Sequence, residues 1–228
     1  MLCKKKEHFY RRAPEPFGGW MGERLATTDA PLCTQRDPYR RDESISGIED
    51  CLQLNIYVPE RSRNPKRSLA QSNESKSLPV MVFFHGGGWQ CGSGTRSFYG
   101  PDYLLEHDII YIGANFRLGP LGFLSTEQAD CPGNNGLKDQ NLVLRWIREN
   151  IASFGGDPHS VTLWDTDPMI PFPPVVEPDA PGAFITKHPR DEYEPHGIGL
   201  PWMTGLTLDE GALKSAFVLG CLVFSGHG

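Results

Sequence analysis

A run of three glycines follows directly on an apolar stretch in the first half of the chain. The apolar stretch is Val80–Phe84, and the sequence continues His-Gly-Gly-Gly-Trp over 85–89. Glycine adopts positive φ angles without a steric penalty, so successive backbone amides can converge on one point. Converging amides bind an anion or a negative charge that develops on oxygen during a reaction. A flexible turn is the alternative interpretation of a bare glycine run.

A second place where chemistry is expected is the end of a short run, Val161–Trp164. Its β-branched and apolar residues predict a buried strand, and functional residues in parallel sheets lie at the carboxyl ends of strands. The chain continues instead with Asp-Thr-Asp-Pro over 165–168. No serine has the flanking glycines of a G-x-S-x-G nucleophile elbow. Ser93 comes nearest, but Cys91 stands where the first glycine is required.

Hydrophobic periodicity predicts the strands that would position these residues. Residues 52–58 alternate between apolar and polar, as in a half-buried strand, and 59–79 predict a surface loop. Residues 80–84 and 109–116 are continuous apolar runs, typical of strands buried on both faces of a parallel sheet. Functional residues are therefore expected at three strand ends: His85–Trp89, Asn115–Gly122 and Asp165.

One helix is predicted between the strands, over 137–154, and Gly155 and Gly156 are expected to end it. Its apolar stripe has helical spacing and consists of Val143, Trp146, Ile147, Ile151 and Phe154. Residues 165–199 are rich in proline and weakly patterned, and 200–206 predict one more short strand. Strand, helix and strand in this order indicate the α/β class with a mainly parallel sheet.

Composition excludes several function classes. The 228 residues carry a net charge of −6, which argues against a nucleic-acid partner. No CxxC pair occurs, so no zinc site is predicted, and nothing in the sequence indicates a cofactor or another metal. The apolar run Ser215–Phe224 is too short to cross a bilayer as a helix, and the amino terminus lacks the apolar region of a secretory signal.

Two of the six cysteines bracket a polar loop. Cys33 and Cys51 could close this loop as a disulfide, which would contribute about 3 kcal/mol in an oxidising compartment. The glycosylation sequon at Asn73 is consistent with such a compartment, whereas the amino terminus does not provide the signal for it. The localisation therefore stays open.

Several strings resemble type-B carboxylesterases, the cholinesterase-like branch of the α/β-hydrolase fold, and insect-type esterases in particular. They are EDCLQLNIYVP, PVMVFFHGGGW, NFRLGPLGFLS and PGNNGLKDQNLVLRWIRENIASFGGDPHSVTLW, in the family's order and spacing. PFPPVVEPDAPGAFITKHPRDEY and LPWMTGLTLDEGALKSA resemble a later part of the same family. The resemblance divides the chain into an N-terminal part of the domain (28–164) and a segment from later in it (165–217). The ends, 1–27 and 218–228, are poorly defined.

The resemblance also assigns roles to individual residues. Gly87 and Gly88 match the glycines that donate hydrogen bonds in the oxyanion hole, and Cys33 and Cys51 match the family's first disulfide. Glu210, in TLDEGA, matches the acid of the catalytic triad. His85 matches a structural position of the oxyanion loop.

Two members of the triad have no counterpart. In the family the strand that matches Val161–Trp164 leads into a GESAG-type elbow, and here this elbow and the following helix are missing. The triad histidine lies well downstream of the acid, whereas His227 is the only histidine after Glu210. The sequence therefore predicts a partial α/β-hydrolase of the serine carboxylesterase family, related to small ester substrates but with little or no activity. A non-enzymatic, cholinesterase-like binding or adhesion protein is the alternative.

The missing helix also has a structural consequence. Strands around 80–84, 109–116 and 161–164 are expected to expose apolar surface without it. Residues 165–228 are not expected to pack as they do in the full-length family.

Overall fold

Four strands form the sheet that carries the candidate site. In the computed structural model, which describes residues 12–37, 44–60, 77–165 and 175–187, they are β3 (Leu54–Tyr57), β4 (Leu78–Phe84), β5 (Ile110–Ala114) and β6 (Gly156–Asp165). Their order is β3-β5-β4-β6. The β4 strand is parallel to both β5 and β6, and β3 is antiparallel to β5. The predicted α/β class with a mainly parallel sheet is confirmed.

Smaller elements complete the described part of the chain. A two-stranded sheet pairs β1 (Gln35–Arg36) with β2 (Ile45–Ser46). Two short helices flank β5: α1 (Arg96–Tyr99) precedes it and α2 (Gly119–Phe123) follows it. The long helix is α3, Asn135–Asn150. Two 3₁₀ turns are also present, Leu104–Glu106 and Ile151–Phe154.

Helix α3 packs on one face of the sheet because its apolar stripe repeats every three to four residues. Its buried side chains Val143 and Ile147, with Ile151 of the following 3₁₀ turn, join one cluster with alternate residues of the two central strands. Those strand residues are Val80, Val82, Phe84, Ile110 and Ile112. Trp146 is half-buried against the same cluster. Phe154 was predicted to belong to this stripe, but its side chain is 43% exposed. The reason is that it lies in the tighter 3₁₀ turn after α3, where the helical spacing no longer holds.

The opposite face of the sheet is aromatic. Phe83 lies at its centre, with ring centroids 4.6 Å from Tyr99 and 5.0 Å from Trp164. Tyr111 and Tyr57 extend the layer towards β3. Because both faces of β4 and β5 are largely covered, the exposure expected for 80–84 and 109–116 is not observed. Met81 is half-buried, and the other apolar side chains of Val80–Phe84 and Ile110–Ala114 are at most 4% exposed.

Two glycines separate α3 from the next strand. Gly155 has a φ of +82° and ends the helical region, as predicted. Gly156 was also expected to end the helix, but it is the first residue of β6. A Cβ atom at Gly156 would lie 2.7 Å from Ile151 and 2.9 Å from Val80, so glycine lets β6 start close against the core.

The strand β6 differs from the prediction in its burial. Val161–Trp164 was predicted to be buried, yet Leu163 is 54% exposed and Trp164 is 44% exposed. The physical reason is topology: β6 lies at the edge of the described sheet, with β4 on one side only. The expected exposure of apolar surface is therefore confirmed at β6.

Strand boundaries also differ from the prediction in detail. The strand predicted over 52–58 is Leu54–Tyr57, and the one predicted over 109–116 is Ile110–Ala114. The loop predicted up to residue 79 ends earlier, since β4 begins at Leu78, whose amide donates to the Gly155 carbonyl. The strand predicted over 200–206 lies outside the described residues, and the boundaries 28–164 and 165–217 stay predictions. None of the helices in the described ranges is long and apolar enough to be a membrane span.

Candidate functional site

The ends of three parallel strands meet at one edge of the sheet. Phe84, the last residue of β4, lies opposite Ala114 of β5 and opposite Asp165 of β6. The glycine loop, residues 85–89, begins directly after Phe84. Neighbouring strands lie about 4.8 Å apart, so the glycine loop starts beside the end of β6. The structure thus brings together all three strand ends at which the sequence predicts function.

The glycine loop has an unusual backbone conformation. Gly87, Gly88 and Trp89 have φ angles of +114°, +62° and +61°. For a residue with a side chain this conformation costs roughly 1–2 kcal/mol, so Trp89 is strained. A Cβ atom at Gly87 would lie 2.1 Å from the Cys91 carbonyl oxygen, and only glycine fits there.

Two backbone amides of the glycine loop have no acceptor among the described residues. The Gly87 carbonyl accepts hydrogen bonds from the amides of Gln90, at 3.1 Å, and Cys91, at 3.3 Å, and these bonds close the turn. Within the described part of the chain, neither the Gly87 amide nor the Gly88 amide donates to a protein acceptor. Two adjacent amides without protein partners can donate to a negatively charged oxygen.

His85 supports the glycine loop from inside the protein. Its side chain is buried and stacks on Phe116, with ring centroids 4.5 Å apart. Its Nδ1 lies 2.9 Å from the Gly86 carbonyl oxygen. Burial lowers the pKa of His85 to about 4, although the hydrogen bond to Gly86 acts in the opposite direction. At neutral pH the ring is therefore uncharged, and Nδ1–H donates to Gly86.

Trp89 fixes the other end of the glycine loop. Its ring packs edge-on against Phe116, at 5.8 Å, and against Phe123, at 4.9 Å. The Trp89 carbonyl accepts a 2.6 Å hydrogen bond from the Gly119 amide. These contacts hold Trp89 in its left-handed conformation, which is consistent with strain maintained by the surrounding structure.

Three amide side chains hold the segment that follows the loop. Gln35 accepts from the Gly92 amide and donates to the Gly92 carbonyl, at 2.7 and 2.9 Å. Asn115 accepts from the Gly94 amide and Asn55 donates to the Gly94 carbonyl, both at 2.9 Å. Sequence reasoning missed Gln35 and Asn55, whereas Asn115 begins one of the three strand ends at which function was predicted. A polar residue inside a half-buried strand, as Asn55 is in β3, was the available signal, because a polar group that becomes buried needs a partner.

Ser93, the serine nearest to an elbow pattern, is not placed to react. It is fully buried, and its Oγ lies 2.7 Å from Thr95 Oγ1. The Thr95 amide also donates to Ser93 Oγ. The neighbouring Cys91 is buried, and burial raises the pKa of its thiol, which keeps it protonated and unreactive.

The predicted disulfide between Cys33 and Cys51 is present, and both cysteines are buried. The Cys51 carbonyl accepts a hydrogen bond from Asn115 Nδ2, and the Pro31 carbonyl accepts another at 2.7 Å. Asn115 thus connects the disulfide-bonded segment to Gly94. The disulfide braces the segment behind the glycine loop without touching the loop itself.

A buried ion pair joins the end of β5 to helix α3. Both side chains, Arg117 and Asp139, are buried, and the guanidinium binds the two carboxylate oxygens through Nε, at 2.7 Å, and Nη2, at 2.6 Å. The Arg117 amide donates to the same carboxylate. The ion pair therefore holds the loop after β5 against α3. At this strand end, the third where function was predicted, Arg117 and Asp139 have a structural role.

One predicted site residue cannot be placed. Glu210, the predicted acid, lies outside the described residues. Gly87 and Gly88, the glycines predicted for an oxyanion hole, are adjacent in the loop after β4, while at the end of β6 the sequence continues with Asp165 and the residues after it and has no nucleophile elbow.

Comparisons with known proteins agree with this geometry. A model described as the carboxylesterase family matches residues 9–168, which is more than half of the chain. Juvenile hormone esterase from Tribolium castaneum is 42% identical over 153 residues, which are 67% of this chain and 24% of that protein. Esterase FE4 from Myzus persicae is 44% identical over 154 residues, 67% of this chain and 25% of that protein. The chain thus spans about a quarter of the length of these relatives.

Solved structures give the same result. The crystal structure of juvenile hormone esterase from Manduca sexta, with OTFP covalently attached, superposes with a TM-score of 0.58 at 37% identity. The match covers 68% of this chain and 28% of that one. A PNB esterase superposes with a TM-score of 0.57 at 35% identity, over 68% of this chain and 30% of the other. The chain belongs to the carboxylesterase family, as the type-B strings in its sequence predict.

Proposed function

We propose that this polypeptide is a carboxylesterase-family protein that keeps the oxyanion-binding loop of an esterase but does not hydrolyse esters by the family's serine route. One observation carries the proposal. At the end of β6, opposite Phe84 and beside the glycine loop, the sequence continues with Asp165 and Thr166 instead of a G-x-S-x-G turn. The place from which a serine would reach the oxyanion loop has no nucleophile in these 228 residues.

The glycine loop supports a relation to esterases in function, in addition to the relation in fold. The amides of Gly87 and Gly88 have no acceptor among the described residues and follow a buried strand. Amides held in this way stabilise the oxygen of an ester carbonyl as it becomes negatively charged. We assign these two glycines to the oxyanion hole. Its third donor in such enzymes is the amide after the nucleophile, which this chain lacks.

Hydrolysis requires more than an oxyanion hole. A serine must be activated by a base, and an acid must orient that base. We assign the acid to Glu210 by its match to the family motif, and no histidine of this polypeptide matches the base. Loss of the nucleophile or the base lowers kcat by about 10⁶ in serine hydrolases, whereas oxyanion stabilisation alone leaves on the order of 10³ over water. We therefore propose carboxylic esters as ligands and not as efficiently converted substrates.

Two measurements test this proposal. The purified chain is incubated with a nitrophenyl ester and, separately, with a fluorophosphonate probe, and the intact mass is then recorded. We expect no enzyme-dependent release of nitrophenol and no adduct. A stoichiometric adduct on a serine would contradict the proposal. A Ser93→Ala variant provides the control for reaction at the serine nearest to an elbow pattern.

A second function, a non-enzymatic binding or adhesion protein, is favoured by one observation. The edge strand β6 exposes Leu163 and Trp164, and exposed apolar edges serve as binding surfaces for other chains. Neither proposal predicts ester hydrolysis, so a binding measurement is needed to distinguish them. Specific, saturable association with a protein partner that is lost in Leu163→Lys would favour the binding protein. Binding of an ester without any competing protein partner would favour the first proposal.

A further inference from the structure

A buried glutamate pins residues 175–187 to the start of helix α3. Glu177 is 3% exposed, and its carboxylate accepts hydrogen bonds from Asn134 Nδ2, at 2.8 Å, and from Lys138 Nζ. Lys138 forms a buried ion pair with it, since the lysine side chain is only 7% exposed. We call Asn134, Lys138 and Glu177 the carboxylate clasp.

The carboxylate clasp also organises the segment that it holds. The amides of Phe184 and Ile185 donate to Glu177 Oε1, at 3.1 and 3.4 Å. The Glu177 amide donates to the Ile185 carbonyl at 2.6 Å. The Glu177 carboxylate therefore closes a turn within its own segment while it also binds Lys138 of α3.

Asn134 recognises the backbone of the same segment. Its side-chain amide donates to the Val175 carbonyl, at 2.6 Å, and accepts from the Val175 amide, at 2.8 Å. This two-way pairing reproduces the contact that a neighbouring strand makes with an extended chain. Gly133 permits the close approach, because a Cβ atom there would lie 2.9 Å from a Val175 methyl group.

We propose that Asn134 and Lys138 form a docking site for an extended peptide segment whose glutamate becomes buried on binding. The segment Val175–Lys187 occupies this site and stays bound there even without its covalent connection to β6. The contacts named above join the segment to Lys138 of α3 and to Asn134, the residue just before α3, and none of them involves 166–174. The docking site is separate from the glycine loop, so the inference does not depend on the proposed function.

The experiment uses the full chain with a site-specific protease sequence placed within 166–174. After cleavage, we expect the two pieces to elute together at the mass of one chain. Glu177→Gln leaves Lys138 buried without its counter-charge, and breaking a buried ion pair is strongly destabilising. In this variant, we expect the two cleaved pieces to bind each other about 100-fold more weakly than the pieces of the unsubstituted chain. Asp179→Asn is the matched control, since Asp179 is an exposed acid of the same segment, and it should not change the affinity.

Hydrogen exchange in the uncleaved chain provides a second readout. Glu177→Gln should accelerate exchange of the Phe184 and Ile185 amides, while those of β5 stay protected. Separation of the unsubstituted pieces on cleavage would overturn the proposal. Retention with the same affinity in Glu177→Gln would also overturn it, because the segment would then be held by something other than the carboxylate clasp. If the variant loses protection of β5 as well, cleavage of the unsubstituted chain decides the question alone.

Discussion

Phe84 of β4 and Asp165 of β6 lie opposite each other in parallel register. Phe84 leads into the glycine loop, in which the Gly87 and Gly88 amides have no acceptor among the described residues. Parallel strands bring their carboxyl ends to one edge of the sheet whatever follows them. The strands themselves therefore bring these two chain segments together, and the chemistry at this edge depends on the few residues after each strand.

Gly87→Ala tests whether the glycine loop tolerates a side chain. The new Cβ atom would lie 2.1 Å from the Cys91 carbonyl oxygen at a φ of +114°, so both backbone strain and overlap oppose it. We expect the free energy of unfolding, measured with urea, to fall by about 3 kcal/mol. Gly19→Ala is the control, since φ is +83° there but no atom lies within 4 Å. It should lose only about 1 kcal/mol, and equal losses at the two positions would contradict the steric explanation.

His85 should make the stability depend on pH. Burial lowers its pKa from 6.5 to about 4, so the unfolded chain binds a proton at a higher pH than the folded one. The contribution of the neutral ring is thus fully present above pH 6.5 and is lost as the pH falls from 6.5 towards 4. A shift of this size corresponds to about 3 kcal/mol.

The measurement is urea unfolding at pH 7 and at pH 4.5, for the unsubstituted chain and for His85→Gln. Carboxylates also titrate in this range, so the informative quantity is the difference between the two proteins. We expect a smaller loss of stability in the variant. An identical loss in both proteins would show that His85 does not contribute to the pH dependence.

The disulfide between Cys33 and Cys51 should contribute measurably to stability. The two cysteines are separated by 18 residues, and closing a loop of this size stabilises a protein by about 3 kcal/mol. Reduction, or the pair of substitutions Cys33→Ala and Cys51→Ala, should lower the free energy of unfolding by about this amount. Cys91→Ala leaves the disulfide intact, so this variant should retain its sensitivity to reductant. A stability unaffected by reductant in the unsubstituted chain would refute the prediction.

Much of the fold could be predicted from the sequence because local patterns determine it. The apolar runs of β4 and β5, the stripe of α3 and the end of the helical region at Gly155 all follow from hydrophobic period and glycine conformation. The pairing of Cys33 with Cys51 was predicted from the polar loop that they bracket and from the family resemblance, and the glycine loop is distinguished from a bare glycine run by the buried strand that it follows.

The features that the sequence did not reveal depend on contacts between distant residues. Glu177 lies in a proline-rich stretch without clear pattern, and its partner Lys138 is 39 residues away. Gln35 and Gly92 are 57 residues apart. Exposed apolar surface at 161–164 was expected from the missing helix, but the position of β6 at the edge of the described sheet follows from the order of the strands, which the apolar run Val161–Trp164 does not encode. Each of these features required knowledge of which elements are neighbours in space.

The edge strand β6 should govern the solubility of the protein. Leu163 is 54% exposed on a strand whose outer edge has no partner among the described residues, and such edges promote association between chains. Leu163→Lys should reduce concentration-dependent light scattering, because a charge on an edge strand opposes pairing with another edge. Stability should change by less than about 1 kcal/mol, since half of the side chain already faces solvent. Leu25→Lys is the control: Leu25 is 90% exposed but lies outside the sheet. If both substitutions reduce scattering equally, exposed apolar area in general causes association; if only Leu163→Lys does, the open edge of β6 is responsible.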